Sequence, residues 1–203
     1  FIYAWFLYGM MTIMWATTKD DSQWKRYKKK DLIKTQGLSN SRFLWTLIST
    51  KTIYLAATLG LPLVFSGLPW WVTVLSFLLM HFIAGLTLAA IFQPAHVIPR
   101  STFETPDKKG HLELDWAANQ LRNTANFAPK ARLFSWYVGG LNYQIEHHLF
   151  PNICHVHYRK IADIVRDTAF EYNLPYHSYK TFYEALAGHA KMLYKLGRQE
   201  DAS

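Results

Sequence analysis

Cysteine occurs once in these 203 residues, at Cys154. A single thiol permits no intrachain disulfide and no cysteine-held iron–sulfur cluster, and it is consistent with a reducing compartment. Charge is missing altogether from Phe1 to Thr18 and from Thr52 to Pro99. Histidine is missing until His81. The chain opens inside an apolar stretch, Phe1-Ile2-Tyr3, without Met and without a basic leader, so no signal peptide is read there and the chain is expected to be a piece of a longer protein. No internal repeat, low-complexity segment or RNA- or DNA-binding motif is present.

What remains is half hydrophobic, with 8 Trp, 12 Tyr and 13 Phe, and carries a formal net charge of +8. Nucleic-acid binding is one usual reading of such a charge. Here the cations flank apolar runs, which fits an integral membrane protein with basic cytoplasmic segments and excludes nucleic acid as the expected partner. The fold class predicted is an all-α membrane protein. Residues 1–18 are long enough, at roughly 27 Å, to span or to lie in the interface as one helix. Lys25, Arg26, Lys28, Lys29, Lys30 and Lys34 follow as a solvated, anionic-lipid-attracting face.

A transmembrane hairpin is predicted over residues 43–92. Its helices run Phe43 to Phe65, with Lys51 snorkelling, and Trp70 to Phe92, each roughly 34 Å long, joined at Ser66-Gly67-Leu68-Pro69. Basic residues on both outer flanks, Lys25 to Lys34 and Arg100, Lys108 and Lys109, place both ends in the cytoplasm. Residues 93–203 then form a cytoplasmic helical cap. Thr105-Pro106-Asp107 and Lys109-Gly110 are turn signals in it. Short helices are expected over Asp115 to Ala125, Tyr158 to Tyr172 (apolar face Ile161, Ile164, Val165, Thr168) and Lys180 to Leu196 (Phe182, Leu186, Leu193, Leu196).

The chemistry is concentrated in Leu141-Asn142-Tyr143-Gln144-Ile145-Glu146-His147-His148-Leu149-Phe150-Pro151. On a helix, Gln144, His147 and His148 stand at i, i+3 and i+4 and share a face, while Ile145 and Glu146 point elsewhere. Two imidazoles and an amide oxygen are thereby aimed at one point, which is a metal-ligand arrangement. Pro151 ends the turn.

The octamer QIEHHLFP resembles the third histidine box of the membrane-bound fatty acid desaturases, in the glutamine form of their front-end (delta-5/delta-6-like) branch. The resemblance implies that residues 1–203 are the C-terminal part of a desaturase domain. It implies two iron ions, O2, a fatty acyl-CoA or acyl-lipid substrate, and an electron donor such as ferredoxin or a cytochrome b-type protein. It places a metal-binding histidine at the end of the second spanning helix, which is His96, although Ala95 stands where a polar residue is frequent; a histidine bonded to backbone at the interface is the other reading. The family's first two boxes, HxxxH and HxxHH, do not occur here, so the metal site carried by His96, Gln144, His147 and His148 is expected to be incomplete and the chain inactive alone. A hydroxylase of the same superfamily and a non-catalytic helical membrane protein are the alternatives.

The other histidines carry less. His81, in mid-span, is read as neutral and bonded across the hairpin to Thr52 or Thr58. His155 and His157 are read as outer supports of the box, and His111, His177 and His189 as surface or packing residues.

Overall fold

A computed structural model describes residues 1–99, 107 and 115–198. The basic flank at Arg100, Lys108 and Lys109, the turn signals Thr105-Pro106 and Lys109-Gly110, and His111 lie outside the described residues. The chain divides into two compact units, Ile2–Ala89 and, with Phe1, the residues from Ala90 on.

The first unit is helical: α1 (Ile2–Gly9), α2 (Met11–Met14), α3 (Asp20–Lys29), α4 (Leu32–Thr35), α5 (Asn40–Leu55), α6 (Leu61–Phe65) and most of α7 (Trp70–Phe92). A π turn, Ala56–Gly60, joins α5 to α6. Pro62 supplies the cause: it has no N–H for the carbonyl of Thr58 and its ring crowds that oxygen, so the ladder widens. Asn40–Phe65 and Trp70–Ala95 are thus two helices of 26 residues, long and apolar enough to cross a membrane. None of the most apolar window of the first is buried, and 22% of the second is. Trp45, Ile53, Val64, Phe65 and Trp70 are each at least 68% exposed. Apolar surface on that scale is not the surface of a core helix in water.

Three contacts tie this unit together. At Gly85 a methyl group would meet the carbonyl oxygens of Gly9 at 2.5 Å and Tyr8 at 2.6 Å, so α7 and α1 approach backbone to backbone. Gly85→Ala is therefore expected to cost about 1–3 kcal/mol, seen as a lower thermal midpoint, because a main-chain oxygen cannot swing aside as a side chain can. His81 is bonded on both sides, to partners other than those predicted from the sequence. Thr12 Oγ1 donates to the His81 carbonyl at 2.6 Å, so its oxygen is the acceptor for His81 Nδ1–H at 3.1 Å, and Nε2 accepts from the Tyr54 hydroxyl at 3.0 Å. The neutral tautomer is fully satisfied. Lys51 does not snorkel: its ammonium bonds the carbonyls of Trp15, Ala16 and Thr17 and lies 3.3 Å from Asp20.

The second unit holds α8 (Trp116–Asn123), α9 (Arg132–Tyr137), α10 (Gln144–Leu149), α11 (Tyr158–Glu171) and α12 (Phe182–Gly197). It also holds β1 (Ala125–Phe127) and β2 (His177–Tyr179), paired in parallel with Asn126 opposite Ser178. This pair corrects the all-α expectation. Strands of three residues carry no readable alternation, and only the fold brings them together. Asp115 caps α8 by accepting from Ala117 N at 3.0 Å, and Thr181 with Glu184 forms a capping box on α12.

The amphipathic stripes match the expectation in part: Val165 is buried and Ile161 and Phe182 pack on the cores, while the other fully buried positions differ. In α11 the buried residues are Tyr158, Ala162, Val165 and Ala169, and Ile164 is 65% exposed. In α12 they are Ala185, His189 and Met192, and Leu196 faces out. Small residues let these helices pack closely, so alanine marks the contact face and the bulky residues flank it. One core joins Leu121, Ile145, Val165 and Ala169, and a second joins Ala95, Phe127 and Ala185.

Candidate metal centre

The histidine box forms the helix that its spacing predicts, α10 (Gln144–Leu149), ending just before Pro151. Its approach is set by Gly139 and Gly140, at φ 60° and 74°; a methyl group on Gly140 would come within 2.9 Å of His155 Cβ. Its N-terminus is held from outside, where Asn126 Oδ1 on β1 accepts from Ile145 N at 2.9 Å. Ile145 enters the core, and Gln144, His147 and His148 line another face of the helix.

His96 reaches this face from the turn that closes α7. It hydrogen-bonds the backbone of Asn123 and the side chain of Gln144, and its ring centroid lies 5.0 Å from that of His148. His147 and His148 have ring centroids 5.7 Å apart. The four residues singled out in the sequence therefore come together. His155 and His157 do not join them: both are exposed on a 3-10 turn. His189 is buried, with Nδ1 3.0 Å from the Val97 carbonyl.

Two supports were not legible in the sequence. Gln120 on α8 accepts from His148 Nδ1 at 3.0 Å, which fixes the tautomer with its lone pair on Nε2. Tyr158 on α11 lies 3.4 Å from His147 Nδ1. A third feature is Glu146, fully buried in the middle of the box. Its Oε2 accepts from Asn126 Nδ2 and its Oε1 from the Tyr176 hydroxyl, both at 2.8 Å. Burial raises its pKa, against these two bonds, and raises that of Tyr176 as well.

Burial also sets the charge of the imidazoles. It holds His96 below the ordinary range, and the charge of His147 acts the same way while the bonds to Asn123 and Gln144 oppose it. His148 is pushed down to about 4 by burial, with His96 and His147 adding repulsion. A neutral imidazole at His96 and His148 keeps a lone pair at neutral pH, as a metal ligand requires.

A pH dependence follows for the metal-free protein. The unfolded imidazole takes a proton near 6.5, but folded His148 resists until about 4, so falling pH favours the unfolded state across that window. Stability is present above 6.5 and lost toward 4. Glu146, raised by burial, acts in the opposite sense. The difference between variants isolates the effect: the acid-side loss in urea titrations is expected to be smaller for His148→Phe than for the unchanged chain. Equal losses would contradict it.

The donors suit a metal. Gln144 is buried, and its Nε2 has no hydrogen-bond partner. Imidazole and amide oxygen are donors that iron accepts. Among the described residues, no three His, Cys, Asp or Glu side chains close on a single ion.

The fatty acid desaturase profile matches residues 1–180. The chain belongs to the fatty acid desaturase family. This desaturase chain is 38% identical over 157 residues to the sn-1 linoleoyl-lipid 6-desaturase of Synechocystis sp., covering 76% of this chain and 43% of that protein. It is 34% identical over 194 residues to the sn-1 linoleoyl-lipid 6-desaturase of Arthrospira platensis, covering 96% and 52%. It is 32% identical over 194 residues to the acyl-lipid (8-3)-desaturase of Mortierella alpina, covering 95% and 42%. These names are of the front-end type, as the glutamine box implied. The chain spans about half the length of the curated relatives it matches. No solved structure matches it significantly.

Proposed function

We propose that this chain is part of an oxygen-dependent, di-iron acyl desaturase of the membrane, with His96, Gln144, His147 and His148 as its iron-facing donors. The observation that carries the proposal is the meeting of His96 with Gln144 and His148 from distant segments. Desaturation removes two hydrogens from an unactivated alkyl chain, and no side chain is a strong enough oxidant. Bound iron would supply that oxidising power from O2 and two donated electrons.

The chain's own residues do the rest. Gln120 orients His148, Tyr158 stands against His147, burial favours the neutral form of His96 and His148, and Glu146 anchors the helix that carries the box. Four donors do not complete two iron sites, so further ligands are required and residues 1–203 alone are expected to show no desaturation. The acyl-lipid names of the relatives favour an acyl-lipid substrate over an acyl-CoA, and a ferredoxin or cytochrome b-type protein would deliver the electrons.

The exposed apolar helices Asn40–Phe65 and Trp70–Ala95 support membrane insertion, with the metal site on the cytoplasmic face. A reporter joined after Arg100 is expected to be cytoplasmic and one inserted at Gly67 external; the reverse would overturn this orientation. The function is tested by supplying the full-length protein with iron, an electron donor and acyl lipid under O2, then weighing the product. Loss of two hydrogens is expected, and an added oxygen would show a hydroxylase instead. Gln120→Ala is expected to lower activity about 10–100-fold, the usual cost of losing the partner that orients a ligand.

A further inference from the structure

We propose that the face formed by α9 and the turn leading into α11 docks on a phospholipid surface, with aromatic side chains in the headgroup layer and guanidinium groups on phosphate. The inference rests on the reading of the two apolar helices as membrane-inserted. α9 has six residues, yet Leu133 is 78%, Trp136 77% and Tyr137 71% exposed. This is not a frayed end. On the inner side Phe134 packs on Phe127 and Phe182, with ring centroids at 6.1 and 5.2 Å, and Ser135 Oγ accepts from Asn142 Nδ2 at 2.9 Å. The outer side is held rigidly in place with nothing of its own unit over it.

The neighbours of Trp136 complete the pattern. It shares a cleft of about 230 Å3 with Arg132, Arg159, His155 and Val156, and no carboxylate lines that cleft. Val156 is 62% exposed. Lys130, Arg159 and Arg166 line the adjoining cleft together with one carboxylate, Asp163. Among the described residues, Lys130, Arg132 and Arg159 form no ion pair.

Indole and phenol rings prefer the layer between water and hydrocarbon, and arginine binds phosphate oxygens in pairs. An acidic soluble protein would satisfy the cations and leave Leu133, Trp136 and Val156 with no apolar partner. A bilayer surface satisfies both sets at once. The chain also enters this unit directly from Trp70–Ala95, a helix suited to a membrane.

The test uses the full chain with Cys154→Ser, reconstituted in vesicles of phosphatidylcholine and phosphatidylserine. Spin labels are placed singly through Leu133→Cys, Trp136→Cys and Tyr137→Cys, with Val64→Cys as a reference in the spanning helix. At the three α9 sites, collisions with O2 are expected to exceed those with a water-soluble nickel chelate several-fold. Adding Arg132→Glu and Arg159→Glu is expected to reduce that ratio. Free access of the nickel chelate at α9, or a frozen label closed to both probes, would overturn the docking while a lipid-exposed Val64 label left the membrane reading standing. Water access at Val64 would overturn both.

Discussion

Replacing His148 by alanine in the full-length protein is expected to abolish desaturation, by more than about 100-fold, and to lower bound iron; losing an orienting partner costs less than that. Three observations point to this size of effect. Nδ1 of His148 is committed to Gln120, so the lone pair on Nε2 is directed away from that contact. The ring stays neutral down to a pH of about 4. It stands between His96 and His147, so its loss breaks the cluster in the middle. His147→Ala is expected to act alike. Gln144→Ala should do less, because an amide is a weak ligand. Iron content by elemental analysis and product by mass spectrometry check the series. Retained iron and activity in His148→Ala would overturn the ligand assignment.

Replacing Glu146 by leucine is expected to cost about 2–4 kcal/mol, since it strands two buried donors at once. Asn126 Nδ2 and the Tyr176 hydroxyl both bond its carboxylate, and a leucine of similar size accepts from neither. Asn126 also holds the N-terminus of α10 through Ile145 N, so the disturbance reaches the pitch of the helix that aims His147 and His148. Tyr176→Phe removes its bond to Glu146 and the one its oxygen accepts from Asn126 Nδ2 at 2.8 Å, but leaves the carboxylate held by Asn126, and should cost about 1–2 kcal/mol. The expected order is therefore graded in thermal midpoint, with iron uptake falling most in Glu146→Leu. A Glu146→Leu protein as stable as Tyr176→Phe would show that the carboxylate anchors nothing.

The sequence by itself determined the long helices and the four residues that meet at the candidate site. Absence of charge over Thr52 to Pro99, broken once at Ser66-Gly67-Leu68-Pro69, marked two long helices, because length and apolar content are summed along the chain and need no partner. The box was legible because i, i+3, i+4 spacing is a property of one helical turn, and His96 because a resemblance named its place. Only the tertiary structure decided what supports them. Gln120, Tyr158, Asn126 and Tyr176 reach the box from other elements, and nothing in their own surroundings distinguishes them from ordinary polar residues. Glu146 looked turned away from the chemistry because helical spacing says which way a side chain leaves its own axis, not what waits there. The same limit explains His81, whose bonds go to Tyr54 and Thr12 rather than Thr52 or Thr58, and the parallel strands Ala125–Phe127 and His177–Tyr179, too short to carry a pattern. Periodicity is written along the chain, whereas contacts between distant segments are settled when burial and hydrogen bonding are satisfied together in three dimensions.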